Sequence, residues 1–274
     1  MRKNGCGMIS GKPLVSIITV SLNSERTIRD TIESVLKQRY NAIEYIIVDG
    51  LSKDNTIPIV SDYKLQFMKK GYGFKLISEK DQGLYDAMNK GIRIAQGEII
   101  GILNSDDFYV NEFVIEKVVD IILAEDADCL YADLLYVDEI NTENIVRKWK
   151  AKSGDFRFGW HPPHPTTFIT KKTYEKHGLY KVKYNLSSDY DLLYRIIHKE
   201  KVKTAYLEEY IVKMRSGGKS TSGIKSNILG NWEVYNILKE NNQKFKLTII
   251  FMKLLFKINQ FNIIALDIKG ELYE

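Results

Sequence analysis

With 274 residues, the chain can hold one large α/β unit with an appendage, or two small domains, around a substantial core. Apolar residues at 44% and charged residues at 27% exclude a disordered chain, and a net charge of +5 is too weak to argue for nucleic acid. The two cysteines, Cys6 and Cys129, fit neither a metal-ligand spacing nor a disulfide framework, which points to a reducing compartment.

The N-terminal "MRKNGCGMISGKP" lacks the apolar stretch of a signal peptide, and no run of about 18 apolar residues predicts a transmembrane helix. "LVSIITVSL" (14–22) reads as a β-branched strand. "SERTIRDTIESVLKQ" (24–38) reads as a helix with Ile28, Ile32, Val35 and Leu36 on one face and Ser24 as its N-cap. "IEYIIVD" (43–49) is a second strand, and residues 55–70 form a helix in which Pro58 is tolerable only in the first turn. "FKLIS" (74–78), "LYDAMNKGIRIAQ" (84–96) and "EIIGIL" (98–103) continue as strand, helix and strand. This alternation predicts a mostly parallel sheet covered on both faces.

Beyond residue 125 the rhythm changes. "DCLYADLLYVDE" and "NIVRKWKA" read as longer, antiparallel strands, followed by a loop rich in Pro, His and Gly (154–165). "SDYDLLYRIIHK" (188–199) predicts a helix, short strands follow, then a Gly/Ser loop "RSGGKSTSG" (215–223) and helical sequence from 224 to about 260.

Ligands of open α/β sheets bind outside the carboxyl ends of the strands. Three strand ends here carry polar clusters: "VDGLSKDNT", "SEKDQG" and "LNSDD". Singly, each also reads as a turn or a helix cap. Together they place carboxylates at one edge, where they repel unless a cation or a donor-rich ligand sits among them. A divalent ion with a nucleotide answers that need, because Mg²⁺ or Mn²⁺ takes one or two carboxylates and fills its other positions with water and phosphate oxygens. Two commoner nucleotide motifs fail. A Walker A loop ending in Gly218-Lys219-Ser220 needs glycine at Lys213, and a dinucleotide fingerprint from Gly71 needs glycine at Leu76. "HPPH" (161–164) is a poor metal pair, since its prolines preclude a helix that would align the imidazoles.

The segments "PLVSIITVSLNSERTIRDTIESVLKQ", "IEYIIVDGLSKDNT" and "SEKDQGLYDAMNKGIRIAQGEIIGILNSDD" resemble, in this order and spacing, the nucleotide-binding half of family 2 glycosyltransferases, inverting enzymes of the GT-A fold. The likeness is strong over 13–110 and looser through "HPTTFI", "SSDYDLLYRI" and "GGKS". It implies a Rossmann-like, mostly parallel sheet with an acceptor-side half and C-terminal helices. The implied divisions are an extension over 1–12, a nucleotide-sugar half over 13–110, an acceptor and catalytic half over 111–222, and a helical region over 223–274.

By that resemblance "NSDD" is the family's DxD-type motif. Asp107 would hold a Mn²⁺ or Mg²⁺ that bridges the donor diphosphate, with Asp106 on ribose or metal. Asp49 would read the base edge, Asp81 would sit in the donor pocket, and the end of strand one, Val20 to Asn23, would lie against the base. Leu22 stands where many relatives have a tyrosine, and Asn104 where many have an aspartate, leaving one charge fewer beside the metal. The departure at Leu22 leaves the base open, with UDP favoured. In "SSDYDLLYRI" the site of the family's base matches Asp189, with Ser188 replacing the usual glutamate; taken alone, Asp189 also reads as a first-turn acid favoured by the helix dipole. Asp191 is the fallback. His164 would border the acceptor groove or simply sit in a rigid loop, and Arg215 or Lys219 would bring positive charge over the diphosphate on a closing loop, which taken alone also reads as an ordinary surface loop.

"KFKLTIIFMKLLFKINQF" (244–261) places Lys246, Lys253 and Lys257 on one helical face amid Leu, Ile, Phe and Met. The pattern fits a helix in a membrane interface with its lysines at anionic headgroups, or else a helix packed on the domain or in a dimer seam. The expected protein is therefore a cytoplasmic enzyme, soluble or peripheral on the inner face of a membrane. It would transfer a hexosyl group from a nucleoside diphosphate donor to a saccharide or lipid-linked saccharide, with no nucleic-acid partner. A sugar-nucleotide nucleotidyltransferase would need a Gly-rich, Arg-containing loop after strand one, which "TVSLNSERT" lacks; a non-catalytic scaffold that binds nucleotide is the other alternative.

Overall fold

In β1 (Val15–Ser21) and β2 (Ile43–Asp49) every residue is buried, as expected of central strands with helices on both faces. Their alternate side chains enter two separate cores. Val15, Ile17, Tyr45 and Ile47 lie on one side, and Ile18, Val20, Ile46 and Val48 on the other. The structure, a computed structural model, describes residues 12–217 and 223–270.

The first half of the sheet is parallel, in the order β3 (Gly73–Ser78), β2, β1, β4 (Ile99–Ile102). Helices α1 (Ile28–Leu36), α2 (Thr56–Lys69) and α3 (Leu84–Ile94) make the crossovers. Pro58 sits in the first turn of α2, where its missing N–H leaves no carbonyl unpaired. The N-cap expected at Ser24 is displaced. A turn intervenes, in which the Ser24 carbonyl accepts from the amides of Thr27 and Ile28, and the helix starts after Thr27. The competing factor is the Ser24 hydroxyl, which is engaged with Ser105 at 2.8 Å.

The second half is mixed. After β5 (Phe108–Tyr109) and α4 (Val114–Glu125), β6 (Cys129–Val137) pairs antiparallel with β7 (Ile145–Trp149) and with β8 (Phe168–Thr170), which in turn docks antiparallel on β4. Past α5 (Lys171–His177), the helix expected over 188–199 forms as α6 (Ser188–Leu193) and then widens into a π-turn over Tyr194–Lys199. The expected short strands are one long strand, β9 (Thr204–Arg215), parallel to β6 and antiparallel to β5.

The chain then runs through α7 (Gly223–Glu240) and α8 (Lys246–Gly270), and among the described residues no helix is long and apolar enough to cross a membrane. Helix α8 turns Lys246 and Lys253 toward the protein, while Lys257 stays exposed. Lys246 donates to the Gln243 carbonyl, Lys253 lies over the Tyr190 ring at 5.4 Å, and Lys257 donates to Asn227 Oδ1 at 3.1 Å. The side chains of Leu247, Phe251, Leu254 and Leu255 face outward instead. Packing against the domain sets this orientation. Gly159, at φ +79°, lies so close under α8 that a Cβ there would meet the Ile249 carbonyl oxygen at 2.7 Å. Gly159→Ala combines a left-handed backbone with that overlap and should cost about 1–3 kcal/mol. A lowered melting temperature with faster proteolysis between α7 and α8 is the expected result; an unchanged digest would show that Gly159 does not seat the helix.

Candidate active site

The strand ends expected to carry the chemistry come to one edge. Ser21, Asp49 and Ser78 are paired across β1, β2 and β3. Asp49 is fully buried there and accepts four hydrogen bonds: Ser21 Oγ at 3.1 Å, the Ser52 hydroxyl, the Ser52 amide at 2.9 Å and Ser78 Oγ at 2.8 Å. It thus organises the turn after β2 in addition to standing where a base edge is expected. Val20 lies in the core beneath this edge, not on its surface. Leu22 is 46% exposed and forms a wall with Gly50 and Asp81. A Cβ on Gly50 would meet Asp81 Oδ2 at 2.5 Å and Leu22 Cδ1 at 3.6 Å, so the glycine keeps a cradle open between them. Asp81 is itself held by the Gly83 amide at 2.9 Å.

The Asn104–Asp107 loop leaves β4 beside this cradle and is fixed through its backbone. Thr27 Oγ1 donates to the Ser105 carbonyl at 2.8 Å, and Thr31 Oγ1 to the Asp107 carbonyl at 2.7 Å. Arg215, at the end of β9, donates to the Asp106 carbonyl at 2.8 Å and pairs with Asp30. It is buried, with its guanidinium 5.0 Å from the Phe108 ring centroid. Arg215 is therefore a fixed brace of the acidic loop rather than a residue of a closing one; Lys219 lies outside the described residues.

Asp107 is completely buried, and one of its oxygens, Oδ2, accepts from Asn104 Nδ2 at 3.2 Å. Its Oδ1 and Asn104 Oδ1 are buried with no hydrogen-bond partner. Burial, with the neighbouring charge of Asp106, holds the Asp107 carboxyl well above its usual range, and burial also raises Asp106. Two orphaned oxygens that can only accept are a poor arrangement for an apo core and a suitable one for a hard divalent cation. Among the described residues no three His, Cys, Asp or Glu side chains gather as a metal cage. An ion held here would have to complete its shell from phosphate and water.

Asp189 lies in the first turn of α6, half-buried, and its Oδ1 accepts from Tyr85 Oη at 3.0 Å and from the Tyr190 amide at 2.8 Å. Asp191, the fallback base, is buried and bound by Lys181 at 2.7 Å and Arg195 at 3.3 Å. Asp189 and Asp107 share a neighbour in Tyr136, whose hydroxyl pKa is raised first by burial and further by both carboxylates. His164 is 9% exposed and shares a hydrogen bond with the Tyr180 hydroxyl at 2.6 Å, so it does not border an open groove. The Tyr180 ring stacks on Tyr85 at 5.5 Å, which makes His164 an indirect support of Asp189.

Tyr85 was not among the residues expected at the site. The available signal was its helical phase. Tyr85, Met88, Asn89 and Ile92 share the buried face of α3, and a buried tyrosine hydroxyl requires a polar partner. Tyr85→Phe should lower kcat about tenfold with little effect on KM for the donor, from loss of one charge-assisted hydrogen bond. Steady-state kinetics check this; an unchanged kcat would show that Tyr85 does not position Asp189.

The sequence matches the description "Glycosyl transferase family 2" over residues 16–197, more than half of the chain. The protein belongs to glycosyl transferase family 2. It is similar to an uncharacterized glycosyltransferase of Methanocaldococcus jannaschii, 27% identical over 256 residues that cover 89% of this chain and 86% of that protein. A PGL/p-HBAD biosynthesis glycosyltransferase of Mycobacterium bovis is 26% identical over 209 residues, 75% of this chain and 78% of that protein. Among solved structures, S. aureus TarS 1–349 in complex with UDP-GlcNAc superposes with a TM-score of 0.67 at 17% identity, covering 90% of this chain and 73% of that one. A mannosyltransferase of Pyrobaculum calidifontis with GDP-Man and Mn²⁺ gives 0.66 at 15% identity, covering 90% and 70%. These likenesses carry the GT-A fold, and family 2 membership makes the chain a glycosyltransferase.

Proposed function

We propose that this glycosyltransferase is a divalent-metal-dependent, inverting enzyme. It transfers a hexosyl group, with a UDP-sugar as the favoured donor, to a saccharide or lipid-linked saccharide. The observation that carries the reading is the pair of orphaned acceptor oxygens, Asp107 Oδ1 and Asn104 Oδ1, with a separate half-buried carboxylate, Asp189, on the other half of the fold. The UDP-GlcNAc and GDP-Man complexes of the structural neighbours support a nucleotide-sugar donor, and the Mn²⁺ of one supports a metal.

In this reading Asp107 and Asn104 hold Mn²⁺ or Mg²⁺, which neutralises charge on the leaving diphosphate. Leu22, Gly50, Asp81 and Asp49 accommodate the nucleoside, with Leu22 giving aliphatic contact in place of an aromatic face. Asp106 faces the ribose or the metal. Asp189 Oδ1 is held by Tyr85, and its carboxylate takes the proton from the acceptor hydroxyl as that oxygen attacks the anomeric carbon. One displacement inverts the configuration, and no covalent nucleophile is required. We place the enzyme in the cytoplasm, free or on the inner face of a membrane.

Thermal melts with UDP, GDP, dTDP and CDP, each with and without Mn²⁺, test the donor side. A ligand at about 100 times its Kd stabilises by about 2.7 kcal/mol, so UDP with metal should raise the melting temperature by several degrees, and UDP alone should not. No shift with any nucleotide would overturn this reading of the site.

A further inference from the structure

Glu233 interrupts the apolar core face of helix α7. Val234, Ile237 and Leu238 are buried in the core that also holds Tyr85, and Glu233 is buried beside them at 2% exposure. Its partners among the described residues are two backbone amides rather than a cation. Oε1 accepts from the Asn185 amide at 2.8 Å, and Oε2 from the Leu186 amide at 2.9 Å. Burying a carboxylate is costly where an apolar side chain would pack freely, so the two amides are what this position is built to hold.

Three residues earlier on the same helix, the Gly230 carbonyl accepts from Ser187 Oγ at 3.0 Å. Helix α7 thus grips three consecutive residues, 185 to 187, immediately before α6. The Ser187 carbonyl in turn accepts from the Asp191 amide at 3.0 Å, closing the first turn around Asp189. The amides of a first turn have no intrahelical partners, so whatever holds the residues before it aims the side chains on it.

Helix α3 supplies a second hold. Asn89 clasps the Tyr180 backbone, its Nδ2 donating to the carbonyl at 2.8 Å and its Oδ1 accepting from the amide at 3.0 Å. Tyr85, on the same helix, donates to Asp189 Oδ1. Tyr85 therefore holds the carboxylate, and Glu233 holds the backbone that leads to it. The two supports also meet in charge. Burial first, then Asp189 and last Glu233, hold the Tyr85 hydroxyl well above its usual range, so it keeps its proton and remains a donor.

We propose that Glu233 is a positioning residue for transfer: it clamps the Asn185 and Leu186 amides and so keeps Asp189 in reach of Tyr85. The inference rests on the reading of Asp189 as the base and adds the device that holds that base in place.

Amide hydrogen exchange tests the clamp without any substrate. The Tyr190 amide donates to Asp189 Oδ1, so its exchange rate reports whether the carboxylate is in place. Glu233→Gln keeps the length, but only its oxygen accepts, and its nitrogen meets one of the two N–H groups. In that variant the Asn185, Leu186 and Tyr190 amides should exchange at least about tenfold faster, while Ile17 and Ile18 in β1 stay within about twofold of wild type. Glu233→Asp keeps the charge but withdraws it by one methylene. It should loosen the same three amides, and it decides the matter if Glu233→Gln does not fold. Faster exchange at Asn185 and Leu186 with Tyr190 unchanged overturns the proposal. Equal acceleration in β1 also overturns it, by making the loss global.

Rates then tie the clamp to the reaction. UDP release is followed with Mn²⁺ from whichever of UDP-glucose, UDP-galactose and UDP-N-acetylglucosamine the wild type turns over fastest. Glu233→Gln should lower kcat about tenfold with KM for the donor within about twofold, and should add less than about twofold to the loss in Asp189→Asn. A residue needed only for folding would lower the rate equally in both backgrounds, and that result overturns the proposal. Where no donor turns over, the exchange results decide it alone. If Asp189→Asn keeps a rate within about tenfold of wild type, the reading of Asp189 as the base fails, while the clamp measured at Tyr190 stands.

Discussion

Asp107→Asn should abolish transfer while making the ligand-free protein more stable. On the proposed reading, loss of this carboxylate would remove several kcal/mol of charge stabilisation from the leaving diphosphate, on the order of a 10³-fold fall in kcat. The stability effect has the opposite sign because Asp107 is fully buried and its Oδ1 has no partner. An amide at 107 can still accept from Asn104 and carries no charge into the core, so the gain should be about 1–3 kcal/mol. The pH dependence follows from the raised carboxyl. A folded pKa above the unfolded one means that the wild-type contribution is fully present below the unfolded value of about 3.9 and is lost as pH rises through the folded one. The melting gap between Asp107→Asn and wild type should therefore be wide at neutral pH and close in acid. Melts across pH 4–8 without metal measure it. A variant less stable than wild type at neutral pH would contradict the orphaned-carboxylate account. A variant that keeps full activity would remove Asp107 from the reaction.

Asp189→Asn should cost about 10²–10⁴ in kcat and leave nucleotide binding intact. The amide oxygen still accepts from Tyr85 and from the Tyr190 amide, so the geometry persists while the capacity to take a proton is lost. Asp189→Ala would add a structural penalty by stranding the buried Tyr85 hydroxyl, which makes the isosteric variant the sharper probe. Single-turnover transfer and UDP–Mn²⁺ melts on the same preparation separate chemistry from binding. A rate within tenfold of wild type would disqualify Asp189 as the base.

The strand ends were legible because burial in a parallel sheet imposes a strong pattern. The fully buried β1 and β2 leave little freedom in reading "SIITVS" and "EYIIVD", and a carboxylate closing such a strand stands out. The acidic loop was legible as chemistry, but its two orphaned oxygens belong to side-chain orientation, which no spacing encodes. The Gly/Ser-rich stretch after Arg215 suggests a closing loop, whereas its place on the acidic loop depends on the pairing of β9 with β5. His164 is expected at the acceptor groove or in a rigid loop, and tertiary packing buries it on Tyr180. For α8 the sequence showed a lysine face and an apolar face but not which one meets the protein. The close approach at Gly159 decides that, and it joins residues far apart in the chain.

The brace on the acidic loop also bears on how the molecule assembles. Arg215 reaches the Asp106 carbonyl across 109 positions of sequence, and Phe108 and Tyr109 become a strand only by pairing with β9. Contacts of such separation form late, after the local crossovers of the first half have closed their shorter loops. The acidic loop is therefore expected to be completed late in folding. If a divalent ion binds there, it should leave the refolding rate nearly unchanged and slow unfolding, which would lengthen the native lifetime.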